Sequence, residues 1–342
     1  MSLGTKIRLG ISIALIILVV LASNPEEVWT ALKGIDYRLI SLVVVLYLIN
    51  LVFKAYRWGV LMKHAGYSIS FRTIFAAFSL SQAINNLIPG RVVGETSRII
   101  EMNTRKGVAV GKGLASVVTE RIMDFAVLTI LTVTSLFLLL ASIVEEFRGL
   151  LMLLVALMVL ANIFFIYLLA RPKLLLRIGG WGARMASKVV KGEKGTKVSA
   201  KVMETVASFN EALVFRGNWK RLVWPSLITA FIWANEIVRL YLIIEALGVS
   251  VSIVAVIASA SLASLSTIVL TAGSGNVVMS SAVFTASGLN PHVAATAGLL
   301  SAITSIWLSV PVSLLAMVVD QRARSAPVFD RKEADNDQRG FN

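Results

Sequence analysis

Apolar runs of about twenty residues recur along the chain, separated by polar or charged intervals. Each is long enough to cross a bilayer as a helix, since about 20 residues at a 1.5 Å rise span a core of about 30 Å. The pattern predicts six such helices, at about 7–23, 38–58, 113–143, 149–170, 222–247 and 291–319. Two further apolar stretches, 70–105 and 250–289, are interrupted midway, the first at Pro89-Gly90 and the second around Gly273 and Gly275. The first run lacks a small-residue cleavage site with the usual flanks, so it reads as a retained helix, although an uncleaved signal anchor has the same pattern.

Lysine and arginine placement orients these helices. Lys6 and Arg8 precede the first run, and the acidic interval 24–37 follows it. Lys54, Arg57 and Lys63 close the second run on the inner side, and Glu145 and Glu146 follow the third on the outer side. The interval from Arg171 to Arg221 holds twelve Lys and Arg against Glu193, Glu204 and Glu211. Arg322 and Arg324 follow the last run. Both termini and the 171–221 connection are therefore expected in the cytoplasm, with 24–37 and 145–147 outside, in a multi-pass protein of the cell membrane. On this count each broken stretch begins and ends on one side, 70–105 inside and 250–289 outside. The expected fold is all-α: about six transmembrane helices and two opposed re-entrant helical hairpins. The order span, broken hairpin, span then occurs twice with opposite orientation, the inverted repeat of many secondary transporters. Ordinary loops between short helices are the simpler reading of each break.

Composition narrows the class. The chain is 57% hydrophobic, with a mean hydropathy of +0.80, which a soluble fold rarely hides. Charged residues make up 15% yet leave a formal net charge of +14, an excess suited to an anionic inner leaflet. The basic residues flank apolar spans and form no nucleic-acid module, so nucleic acid is not an expected partner. There is no Cys, and His64 and His292 are far apart, so neither a disulfide framework nor a metal site is expected. Residues 1–320 read as one membrane domain and 321–342 as a polar, disordered cytoplasmic tail. Within 171–221, apolar residues at helical spacing alternate with basic ones; helices lying on the inner leaflet and a solvated helical hairpin both fit.

The charges concentrate where the apolar stretches break. In "SQAINNLIPGRVVGETSRIIE", residues 81–101, Pro89 removes a backbone donor and Gly90 permits a sharp turn. The helix from about Val92 then opens with free N–H groups, a place that favours phosphate. Arg91 adds a planar fork, and Asn85 and Asn86 add amide donors. Arg91, Glu95 and Arg98 can share one helical face, either as a site or as ion pairs that pin the turn. Gly273, Gly275 and Asn276 are the corresponding candidates at the second break, where a flexible turn is the plainer reading. Glu120 and Asp124 lie one turn apart, and Glu236 and Arg239 sit inside an apolar run, where ionisable groups pair or serve function. The Gly-rich "GSGN" lacks the lysine of a nucleotide-binding loop, and the paired carboxylates have no sugar-binding domain beside them.

The stretch "NNLIPGRVVGETSR", the following "ERIMD" and the late Gly-rich break resemble the flippase-like membrane family related to the transmembrane region of lysylphosphatidylglycerol synthases. The resemblance covers about residues 5–320. That family's second break usually reads Pro-Gly-Gly-x-Gly followed by Glu; here Ala272 replaces the Pro and Met279 stands near the expected Glu. Larger members carry a soluble aminoacyl-transferase domain that is not legible in this chain. The resemblance implies lipid handling. The resulting expectation is translocation, without cofactor, of a phospholipid or polyprenyl-phosphate lipid with an anionic or zwitterionic headgroup. A membrane enzyme or accessory subunit on a lipid-linked substrate, with Glu95, Glu120 and Asp124 as acid–base groups, is the alternative. A scaffold without transport is a third.

Because the chain is free of Cys, single-cysteine labelling tests the orientation. A Gly195→Cys variant should react with an impermeant maleimide in inside-out vesicles and not in intact cells; labelling from outside would reverse the assignment.

Overall fold

The computed structural model describes residues 3–88, 92–139, 171–189, 193–213, 220–267 and 272–325, with scattered positions between 153 and 167. Every regular element in these segments is helical. Pro89, Gly90 and Arg91, most of the predicted run 149–170, Glu145, Glu146 and the tail from 326 lie outside the described residues.

Helices α1 (Leu3–Ala22) and α2 (Pro25–Lys33) meet at an angle of 87°, taken between Ile11–Ala22 and Pro25–Lys33. The sequence reading treated 24–37 as a loop, but Asn24, Pro25 and two glutamates form a helix-start signal. Among the described residues four helices are long and apolar enough to span a membrane: Tyr37–His64 (α3), Val110–Leu138 within α6 (Val110–Leu139), Lys220–Ala246 (α9) and Pro291–Arg322. The bent α1–α2 pair raises the number to five if it counts as one span. The last span is not uniform. It comprises α12 (Pro291–Ser301), a π-helical turn (Ala302–Trp307) and α13 (Ser309–Ser325). Pro311 accounts for the wide turn: it has no N–H for the Trp307 carbonyl and its ring crowds that carbonyl. Leu308 N–H instead reaches back five residues to the Ile303 carbonyl at 3.2 Å.

Both broken stretches are pairs of short helices. α4 (Phe71–Leu87) packs on α5 (Val92–Lys106), and α10 (Ile253–Ser266) packs on α11 (Ser274–Ala286). At 1.5 Å per residue the longest of them, 17 residues, is about 26 Å, short of a full crossing. Packing between the halves is reciprocal. α4 lies against α13, the helix that ends the second half, and α10 lies against α6, the helix that follows the first pair. α3 and α9, which precede the two pairs, pack on each other. Their contact is held by amide hydrogen bonds, Asn50 Nδ2 to the Ile232 carbonyl and to Asn235 Oδ1, each 2.9 Å. Such bonds hold apolar helices together where water offers no competing partner.

The connection 171–221 forms α7 (Pro172–Val189) and α8 (Glu193–Ala212), packed together. α8 in turn lies on α6, with Phe209, Ala212 and Leu213 against Ala115, Val118 and Ile122.

Glycine permits the tightest helix approaches. A Cβ on Gly94 would stand 2.2 Å from the Ser81 carbonyl and 2.4 Å from Asn85 Oδ1, across the α4–α5 contact. Gly94→Ala should therefore lower stability by about 1–3 kcal/mol. Gly180→Ala on α7, where a Cβ meets nothing within 4 Å, should be neutral or stabilising by up to ~1 kcal/mol. Thermal melts of the two purified variants in detergent check both directions; a Gly94→Ala protein as stable as the parent would refute the close packing.

Candidate functional site

The centre of the helical assembly contains a cavity of about 560 Å³. Its wall draws on both halves of the chain: α3, α4, α5, α6, α9, α10, α11 and the π turn with the residue before it. Apolar side chains such as Phe78, Phe125, Leu128 and Ile243 line much of it. The rest is charged or amide-bearing.

On one side lies an ion network built on Arg57 of α3. Its guanidinium makes a two-pronged contact with Asp124, Nη1 to Oδ1 at 2.6 Å and Nη2 to Oδ2 at 3.0 Å. It also donates to Glu120 Oε1 at 3.0 Å and to the Thr229 hydroxyl at 2.8 Å. The second oxygen of Glu120 accepts from Arg98 Nη2 at 2.9 Å. Arg98 lies against two neighbouring aromatic rings, 4.7 Å from the Trp58 centroid and 5.0 Å from that of Phe78. Arg121 completes the set, 2.5 Å from Glu95 and 3.6 Å from Asp124. Arg57, Arg98 and Glu120 are each only 1% exposed. Isolated charges buried so deeply would cost several kcal/mol each; here three guanidinium groups face three carboxylates. Helical spacing explains the fit. Glu120 and Asp124 lie one turn apart on α6, so one face presents both carboxylates to α3.

A second group stands on α3 and α9. Arg239 Nη1 lies 3.1 Å from Glu236 Oε2, Lys54 Nζ lies 3.9 Å from the same oxygen, and the Arg239 guanidinium sits 5.1 Å from the Tyr47 ring centroid. Together the two groups hold five cations and four carboxylates, a formal excess of one positive charge. Arg57 Nε, Arg239 Nε and Trp233 Nε1, buried donors of lining residues, meet no acceptor among the described residues.

The C-terminal end of α4 meets the second break beside the cavity. Ala272 N–H donates to the Asn86 carbonyl at 3.0 Å, and the Ala272 carbonyl accepts from Trp307 Nε1 at 3.2 Å. Ala272 and Gly273 both have left-handed backbones, with φ of 53° and 87°. A Cβ on Gly273 would meet that of Ala302 at 2.7 Å, so this position needs glycine for space as well as conformation. Asn86 Nδ2 reaches Ser309 Oγ at 3.0 Å, and Asn276 Nδ2 reaches Ser301 Oγ at 2.9 Å.

The candidates named from sequence divide as follows. Asn86, Glu95, Glu120, Asp124, Glu236, Arg239 and Asn276 line the cavity. Asn85 does not; it is buried and its Oδ1 accepts from Gly94 N–H at 3.0 Å, tying α4 to α5. Arg98 stands behind the wall as the second partner of Glu120, rather than beside Glu95. Gly273 and Gly275 shape the second break by close approach. Pro89, Gly90 and Arg91 lie outside the described residues. The sequence reading used Lys54 and Arg57 only to orient the chain. Helix α3 in fact continues to His64, which leaves Arg57 two turns inside it. The apolar residues Trp58, Val60, Leu61 and Met62 that follow this arginine were the available signal. Among the described residues no group of three or more His, Asp and Glu side chains could hold a metal ion.

Glu120 tests the network. Glu120→Gln removes the counter-charge of Arg98 and one of the two carboxylates that Arg57 engages, and should destabilise the fold by about 3–5 kcal/mol. Adding Arg98→Met should restore part of the loss, because Arg57 keeps Asp124. Thermal stability of the parent, both single variants and the double variant measures the coupling; additive losses would mean that the two groups do not act together.

Comparison with known proteins places these features in a family. Residues 7–313 match the family described as the lysylphosphatidylglycerol synthase TM region. A UPF0104 membrane protein of Pyrococcus horikoshii is 25% identical over 313 residues, 87% of this chain and 92% of that protein. UPF0104 membrane proteins of Methanothermobacter thermautotrophicus and Methanocaldococcus jannaschii are each 25% identical, over 340 and 329 residues. These matches cover 95% and 93% of this chain, and 98% and 95% of the two relatives. No solved structure matches. The family match runs through the broken stretches, the ion network and the cavity alike: the chain is a member of the lysylphosphatidylglycerol synthase TM-region family.

Proposed function

We propose that this protein moves a lipid with an anionic or zwitterionic headgroup between membrane leaflets. The carrying observation is the cavity: one 560 Å³ space to which both broken stretches and both charged groups contribute. A headgroup needs polar partners when it leaves water, whereas acyl chains need none beyond bilayer. The wall supplies both signs of charge with a formal positive excess. Guanidinium and amide donors suit phosphate oxygens. Arg239 and Trp233 of α9 are assigned to the headgroup, with Asn86 and Asn276, and with Arg91 on the sequence argument alone. Arg57 and Arg98 hold the wall.

The reciprocal packing of α4 on α13 and α10 on α6 supports the inverted-repeat reading. In that reading the two short pairs are re-entrant from opposite faces, and their meeting at Asn86 and Ala272 is the barrier between leaflets. The enzyme alternative is less well supported. Glu95, Glu120 and Asp124 already engage guanidinium groups, which commits the lone pairs that an acid–base group would need.

Reconstitution into liposomes with labelled phospholipids or polyprenyl phosphate tests the proposal. Leaflet exchange should be faster with the protein than without it. Arg239→Gln should slow it about tenfold, equivalent to ~1.4 kcal/mol in the barrier, without loss of folding. Full exchange by a well-folded Arg239→Gln protein would remove Arg239 from the site. Absence of exchange with every lipid would overturn translocation, and formation of a new lipid product would favour the enzyme reading.

A further inference from the structure

Helix α7 presents an unusual surface. Ala183 is buried, while the large apolar residues Ile178, Trp181 and Met185 face outward, at 48%, 58% and 44% exposure. At about 100° per residue, Leu174, Ile178, Trp181 and Met185 form one stripe along the helix. Lys173, Arg177 and Arg184, all exposed, form the stripe directly beside it. A helix of a solvated hairpin turns its large apolar residues toward its partner; α7 does the opposite. Its neighbour α8 differs, since the apolar residues at its C-terminal end pack on α6.

The position of α7 in the chain identifies what covers this face. The helix starts directly after the apolar run 149–170, and at that junction Arg171 lies 5.2 Å from the ring centroid of Tyr167. An aromatic ring and an arginine at the end of an apolar run mark the membrane–water boundary. α7 therefore begins at headgroup depth. We infer that α7 docks on an anionic lipid surface: Leu174, Ile178, Trp181 and Met185 enter the boundary between headgroups and acyl chains, and Lys173, Arg177 and Arg184 engage lipid phosphates. Apolar residues beside a basic stripe match a negatively charged bilayer face better than the apolar surface of a protein partner. The adjoining basic interval, from Lys188 to Lys201, adds to the same field. This site is separate from the cavity, and its test does not depend on transport.

The test uses the full chain carrying Met185→Cys, labelled with an environment-sensitive fluorophore. The protein is reconstituted into vesicles of phosphatidylcholine, alone or with phosphatidylglycerol. The expected result is blue-shifted emission, quenched by headgroup-level spin-labelled lipid, in the phosphatidylglycerol vesicles and weakened by salt. Adding Lys173→Gln and Arg177→Gln should lower the docked-to-undocked ratio about 30-fold, which is two residues at about 1 kcal/mol each. A label at Ile178→Cys should report the same change, so one perturbed position cannot decide the outcome. A water-exposed label in both vesicle types would overturn the inference. Equal burial with and without phosphatidylglycerol, unmoved by the charge changes, would overturn the anionic specificity. Burial that grows with protein concentration in detergent would assign the face to a second copy of the chain.

Discussion

An arginine inside an apolar helix is the constraint on which this structure turns. Arg57 cannot reach water from its place in α3, so the fold must bring carboxylates to it. Glu120 and Asp124 do so from α6, and Thr229 adds a hydroxyl from α9. One guanidinium thus fixes the relative positions of three long helices. Glu120 then carries the constraint onward to Arg98 and the α5 half of the first broken pair. The same low dielectric that makes an unpaired charge costly makes the network specific, because few other arrangements give every guanidinium a carboxylate.

The network also separates structure from chemistry. Charges engaged by neighbours on several sides hold helices in place. Arg239 is one of them: it contacts Glu236 and lies against the Tyr47 ring. The polar wall beside the apolar lining suits a molecule with a charged end and a hydrocarbon end. That physical match, in a chain of the lysylphosphatidylglycerol synthase TM-region family, is what makes lipid handling the favoured reading.

The breaks serve this arrangement through backbone geometry. At the second, Ala272 and Gly273 take left-handed conformations, and Ala272 exchanges hydrogen bonds with Asn86 and Trp307. Polar backbone within an apolar assembly is tolerated where other protein groups satisfy it, and here Asn86 and Trp307 satisfy Ala272. Pro311 extends the same logic to the final span, where its missing N–H accompanies a π turn whose residues Ser305 and Ile306 face the cavity.

The sequence by itself determined the all-helical membrane class, because the length of an apolar run acts locally along one dimension. It also located the two broken stretches, since proline and glycine mark them directly, and it singled out the Glu120–Asp124 face, since a four-residue spacing is one helical turn. Only the tertiary structure decided the partners. Glu95 pairs with Arg121 rather than the nearby Arg98, and Asn85 caps Gly94 rather than facing the cavity, because both outcomes depend on how α4, α5 and α6 pack. Arg57 was legible only as a positive charge near the end of a span. Its role came from α6, more than sixty residues away in the chain, and no local pattern encodes a contact across that distance.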